Sequence, residues 1–179
     1  MGASLLPITL LAGCVAAWHP PTPGRFDLVV PDGWTVTRNY RWLGADTVVL
    51  DGEGASISVN VRREVGTGHL PLDLVASVRA LSWGRRVGVE NAILAEHEIE
   101  VDARRAAAVT GLRRWRTART AYTMVLMRGG GWTVELVLHA PEHELDPHAA
   151  AWAAFLSGFR LSCPPEPDGP LYEDDLWRR

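Results

Sequence analysis

Three clusters of side chains in this chain are of types that can do chemistry. The first is His139-x3-His143-x4-His148, interleaved with Glu142, Glu144 and Asp146. Imidazoles and carboxylates suit a zinc ion. The spacing, however, matches no metal-binding motif, and Asp146-Pro147 reads as the N-cap and first residue of a helix. The second is Glu96, Glu98 and Glu100, carboxylates on one face of a strand that acid–base work could use. Their opposite set is Ile93, Ala95, Ile99 and Val101 with His97 among them, so the glutamates read as the wet face of an amphipathic strand and His97 as a partly buried histidine. The third is Arg113-Arg114-Trp115-Arg116 with Arg119, a basic run with an aromatic inside that can bind anions or stack on bases. Its plainer reading is cross-strand pairing with the glutamates, worth about 0.2 to 1 kcal/mol per pair. The chain has no G-x-S-x-G elbow, phosphate loop or Cys-x-x-Cys, so neither an enzyme nor a cofactor is expected.

Cys14 has the most specific surroundings. It follows an apolar run of Leu5, Leu6, Ile8, Leu10 and Leu11, too short for the roughly 20 residues that span a bilayer. An apolar stretch of about 7 to 15 residues ending in small residues is the pattern of a removable export signal. Leu11-Ala12-Gly13-Cys14 resembles the lipobox of bacterial lipoproteins. The resemblance implies that residues 1–13 are removed, that Cys14 carries acyl chains, and that the lipid bilayer is the first partner. It also implies an envelope location. Val15, where an Asp would direct inner-membrane retention, implies the outer membrane facing the periplasm. At about 0.8 kcal/mol per buried methylene, two or three chains anchor stably. Cys163 is the other cysteine. Either it pairs with Cys14 in an oxidising compartment, or it stands alone because the Cys14 sulfur is a thioether.

The composition bounds the rest. The basic residues are all arginine, 18 against 21 acidic residues, for a formal net charge of −3, a balance that does not suggest nucleic acid. An exported basic run instead meets headgroups, polysaccharide phosphates or an acidic protein. Beyond the signal the length suits one domain. A domain near 150 residues buries about 68 to 70% of its unfolded surface, so its core needs no staples.

These side chains must be positioned by elements whose periods are readable. Residues 14–24 hold clustered prolines, which favour an extended tether of about 3.1 Å per residue. From residue 25, Phe26, Leu28 and Val30 alternate before the turn Pro31-Asp32-Gly33. A second strand follows with Trp34, Val36, Tyr40 and Trp42 on one face, then Thr47–Leu50, then Ala55, Ile57, Val59 and Val61 against polar residues. Leu74, Val75, Val78 and Leu81 predict a helix over 71–83 that packs this stripe on the sheet's inner face. Four strands, 91–101, 105–115, 119–128 and 131–140, form a meander, with Gly129-Gly130 turning the last pair. A second helix carries Trp152, Phe155, Leu156 and Phe159. The predicted class is α+β: an antiparallel β-sheet meander with two packed α-helices.

The opening Phe26-x-Leu28-x-Val30-Pro31-x-Gly33-Trp34, the middle helix, the meander, and Leu138-x-Ala140-Pro141 before a helix ending Phe155-Leu156-Ser157-Gly158-Phe159-Arg160-Leu161 resemble the PsbP/DcrB-like proteins. The resemblance covers 25–161 and implies a largely non-catalytic scaffold that binds partners, among them envelope proteins. Residues 162–179 form a proline-rich acidic tail that is unable to be helix or central strand, yet it ends with Tyr172 and Trp177. A docking peptide explains those rings; a tail folded back or disordered is the alternative. The sequence therefore leads to an envelope lipoprotein anchored at Cys14 that acts as a binding or assembly module for an envelope protein. Tyr172, Trp177, Arg113, Arg114 and Arg116 are its expected contacts. A metal- or small-ligand-binding protein using the His139–His148 segment is the alternative.

Overall fold

The computed structural model of the chain describes residues 17–18, 26–42, 45–64, 68–82 and 89–162. Residues 1–13, read above as a signal, and Cys14, Cys163, Tyr172 and Trp177 lie outside the described residues. The strands are β1 (Ala17–Trp18), β2 (Phe26–Val29), β3 (Thr35–Trp42), β4 (Ala45–Gly52), β5 (Ala55–Arg63), β6 (Val89–Val101), β7 (Arg104–Trp115), β8 (Ala118–Gly129), β9 (Trp132–Pro141) and β10 (Arg160–Leu161). Helix α1 (Leu72–Ser82) lies between β5 and β6, and α2 (Ala149–Gly158) follows a 3-10 turn at Asp146–His148.

The main sheet is antiparallel in the order β3-β4-β5-β9-β8-β7-β6, and β1-β2-β10 form a small second sheet. After β5 the chain crosses through α1 to the far edge and meanders back until β9 pairs with β5, Ser56 opposite His139 and Val61 opposite Val134. The expected class and meander are present, but the last turn is Gly130-Gly131, with φ of 58° and 76°, rather than Gly129-Gly130, because Gly129 still pairs with Trp132. Part of the stretch read as a tether is also ordered, because Ala17 and Trp18 pair with Val29 and Leu28.

The two helices lie on opposite faces of the sheet. On one face Trp152, Phe155 and Phe159 pack with Phe26, Leu28, Leu50, Ile57, Val59, Ala106, Ala108, Leu136 and Leu138. On the other, Val75, Ala76 and Ala80 pack over Ala107, Val109, Tyr122, Met124, Leu126 and Val137. This double coverage explains why the central strands read as unbroken apolar runs such as Ala106-Ala107-Ala108-Val109 and Met124-Val125-Leu126-Met127. A strand buried on both sides has no wet face to encode.

The first helix corrects the expected stripe. Leu74, Val78 and Leu81 are 48, 56 and 46% exposed, while Val75, Ala76 and Ala80 are buried. Small side chains let the helix axis approach the sheet closely, and the larger residues of the opposite stripe then point outward. Its start is as expected, with the Pro71 carbonyl accepting the Val75 amide at 3.1 Å. The second helix departs at its start: the N-caps are Leu145 for the 3-10 turn and His148 for α2, and neither makes a side-chain capping bond.

Two bulges correct the faces of edge strands. The register shifts between Val36 and Arg38, so Tyr40 leaves the face of Val36 and is 49% exposed. It shifts again between Ile93 and Ala95, leaving Leu94 outside the pairing and 62% exposed. Ile93 therefore joins α1, on the glutamate face rather than with Ile99. An inserted residue inverts every side chain beyond it.

Candidate functional site

The site grows from strand register. Across the sheet, Ser56 on β5 faces His139 on β9, His139 faces Tyr122 on β8, and Tyr122 faces Gly111 on β7. In the next row Arg113 faces Thr120. All of these belong to the face that α1 covers, toward the β7–β8 turn. An open depression of about 390 Å³ lies there, lined by Ser56, Arg113, Trp115, Ala118, Thr120 and His139. A wider trough of about 590 Å³ shares Ser56, Ala118, Thr120 and His139 and continues to Asp51 and Arg119.

Gly111 shapes the floor. A Cβ there would lie 2.5 Å from the Ala92 carbonyl oxygen and against the Tyr122 hydroxyl, so the absence of a side chain lets the buried phenol lie across β7. A glycine within a strand marks such a close approach. Gly111→Val is expected to cost about 1 to 3 kcal/mol through overpacking, read as a lowered urea midpoint with the slope unchanged.

The electrostatics are uneven. Burial, and secondarily Arg113, lower the His139 pKa to about 4, so its imidazole is neutral at pH 7. Burial raises the Tyr122 phenol, opposed by Arg113. Arg113 thus places a cation near neutral donors and acceptors, an arrangement suited to an anionic or polar group. The histidine also carries a pH signature. Its folded pKa lies below the ordinary 6.5, so the unfolded chain takes up the proton first. The stability is fully present above pH 6.5 and falls toward pH 4, by at most about 1.4 kcal/mol per pH unit. Unfolding curves of wild type and His139→Gln should run parallel above pH 6.5 and converge in slope only below 4.

The arginine run sits on the β7–β8 hairpin and is split by the strand period. Arg113 and Trp115 share the α1 face, Arg114 lies on the opposite face, and the turn is Arg116-Thr117. Arg116 adopts a φ of 55° and its guanidinium stands 5.2 Å above the Trp115 ring, a cation–π contact. Arg114 lies 3.9 Å from Glu90 and Arg119 3.4 Å from Glu142, both arginines more than half exposed. Exposed pairs of this kind are worth about 0 to 1 kcal/mol, so the hairpin keeps a basic surface.

The glutamate ladder is not the partner expected for these arginines. Glu98 lies 2.5 Å from Arg105, near the opposite end of β7, and Glu96 accepts a bond from Ser77 on α1. With Asp73 they rim a cavity of about 400 Å³ beside α1. His97 shares a face with Ile99 as expected but is exposed. The three histidines of the 139–148 segment also part company. His139 lines the depression, His143 is 81% exposed beside Glu144, and His148 meets the Trp34 ring edge-on at 5.8 Å. Among the described residues no three His, Cys, Asp or Glu side chains gather to hold a metal. Ser56, Thr120 and Tyr122 carried no sequence signal of their own; only the mid-strand Gly111 hinted at them.

These features define a two-helix, antiparallel-sheet scaffold with a polar depression at one end. No family model matches the chain, and no curated protein matches it. Among solved structures it is similar to the cyanobacterial PsbP protein CyanoP of Synechocystis sp. PCC 6803, with a TM-score of 0.59 and 13% identity over 84% of this chain and 95% of that one. It is also similar to LpqN, involved in cell envelope biogenesis of Mycobacterium tuberculosis, with a TM-score of 0.55 and 16% identity over 83% of this chain and 90% of that one. The fold is PsbP/DcrB-like.

Proposed function

We propose that this chain is a lipid-anchored envelope protein whose domain binds a partner without catalysing a reaction, through the depression beside His139. The observation that carries the reading is the convergence of Arg113 with Ser56, Thr120 and neutral His139 around one open space. A cation among neutral polar groups complements a carboxylate-bearing protein surface. The location is supported by Leu11-Ala12-Gly13-Cys14 and by the shared fold with an envelope-biogenesis protein. Among the described residues no helix is long and apolar enough to cross a membrane. In this reading the acyl chains on Cys14 do the anchoring. Tyr172 and Trp177 supply a second contact to the partner.

Crosslinking in native envelopes, with mass spectrometry of the recovered chain, tests this. Cys14 is expected to carry acyl chains, and a discrete crosslinked neighbour should be lost in Arg113→Ser and reduced on truncation after Ser162. An unmodified chain in the cytosol, or neighbours indifferent to Arg113, defeats the reading. A small ligand is the second reading, favoured by a depression volume inside the roughly 300 to 1,000 Å³ of ligand pockets. Ser56→Trp fills that space, and retention of the crosslinks would exclude the depression as the protein contact.

A further inference from the structure

We propose that the tip of the β7–β8 hairpin, carrying Trp115, Arg114, Arg116 and Arg119, rests on the anionic lipid surface in which Cys14 is anchored. The inference rests on the acylation reading above and adds an orientation to it. Phe26 pairs with Leu161, and the Leu161 amide donates to Asp102 at the β6–β7 turn. Strand β2 therefore starts at that end of the sheet. It runs toward the other end, where Trp34 packs on Gly52 next to the β4–β5 turn. Strand β1 is antiparallel to β2, Ala17 at Val29 and Trp18 at Leu28, so the chain comes in from the β4–β5 end. That is also the end at which β7 and β8 turn at Arg116-Thr117.

Covalent geometry then limits the standoff. Consecutive Cα atoms are 3.8 Å apart, so Cys14 lies within about 11 Å of Ala17. With Ala17 and Trp18 docked, the domain does not hang on a long proline tether; its hairpin end is held close to the bilayer. The hairpin is built for that place. Its strands continue past the last β9 partner, Pro141 opposite Thr120. Trp115 is 47% exposed at the tip, and a ring with an apolar body and a polar N–H favours the headgroup level. The exposed guanidiniums of Arg114 and Arg119, with that of Arg116, complement anionic headgroups. Glu53, Glu142 and Glu144 also lie toward this end, on shorter loops. Repulsion from the same surface tilts the domain onto the hairpin.

The test uses the acylated full chain with Cys163→Ser and one reporter cysteine, Thr117→Cys at the tip or Ala103→Cys at the opposite turn. Each carries an environment-sensitive dye, on phosphatidylcholine vesicles with or without phosphatidylglycerol and a headgroup spin-label quencher. Quenching at Thr117 well above that at Ala103, strengthened by phosphatidylglycerol and weakened by salt, is the expected result. In the non-acylated Cys14→Ser chain, replacing Arg114, Arg116 or Arg119 by Ser should weaken binding to anionic vesicles about fivefold each. Equal quenching at both positions, with the acyl mass on Cys14 confirmed, overturns the orientation and leaves the anchor standing. A missing acyl mass overturns the anchor, and the vesicle binding of the non-acylated chain then judges the hairpin alone. A tip shielded in native envelopes but unquenched on vesicles belongs to a protein partner and also overturns the proposal.

Discussion

Phe155→Ala is expected to lower the unfolding free energy by about 3 to 5 kcal/mol, the range for truncating a fully buried aromatic. The ring is 0% exposed. It stacks on Trp152 at 5.6 Å and lies 6.2 Å from Phe159, which stacks on Phe26 at 5.8 Å. It thus joins α2 to β2 and the sheet, and neighbours fixed by strand pairing have little freedom to collapse into the space it leaves. Single domains are stable by about 5 to 15 kcal/mol, so this change removes a large share. Urea unfolding reads it as a lower midpoint at unchanged slope. Val78→Ala on the exposed stripe of α1 should stay within about 0.5 kcal/mol. A loss above 1 kcal/mol there would mean that α1 is docked the other way round.

Asp102→Ala is expected to cost about 3 to 5 kcal/mol, because it removes the partner of a buried charge. Asp102 and Ala103 form the β6–β7 turn with φ of 54° each, a conformation an Asp tolerates. The Asp102 carboxylate pairs with Arg104 and accepts the Leu161 amide at 2.9 Å. Arg104 in turn donates to the Leu161 carbonyl at 3.3 Å, and its side chain is 8% exposed. Without the carboxylate the buried guanidinium loses its Asp102 partner, and β10 loses the Leu161 amide bond and the Arg160 contact at 3.8 Å. Hydrogen exchange at Leu161 should accelerate along with the loss of stability. Asp102→Ala with Arg104→Met should recover much of the loss, since replacing both members of a buried pair is far milder than removing one. If the double variant is no better than the single, the loss belongs to the turn conformation.

Much of this protein was determined by its sequence alone, because the period of a strand or helix is local. Ala55 to Arg63 alternates and is β5; the glycine run after Arg128 marks the turn into the last meander strand, although the turn falls at Gly130-Gly131, one residue later than Gly129-Gly130; Trp152 and Phe155 mark the buried face of α2. The α+β class and the placing of Arg113 to Arg119 on a hairpin follow from the same reading. Tertiary structure alone decided which way each face looks. Bulges at Val36/Arg38 and Ile93/Ala95 invert Tyr40 and Ile93, and nothing local in the residues announces them. Helix α1 buries Ala76 and Ala80 rather than Leu74 and Val78, because the sheet face it meets already carries Tyr122, Met124 and Leu126 and small helix side chains let the two pack closely. Ser56, Arg113 and His139 come together only through the antiparallel pairing of β5 with β9 and of β9 with β8. A strand's side-chain period is written in its own residues, whereas register belongs to a pair of strands and exists only once both are in place.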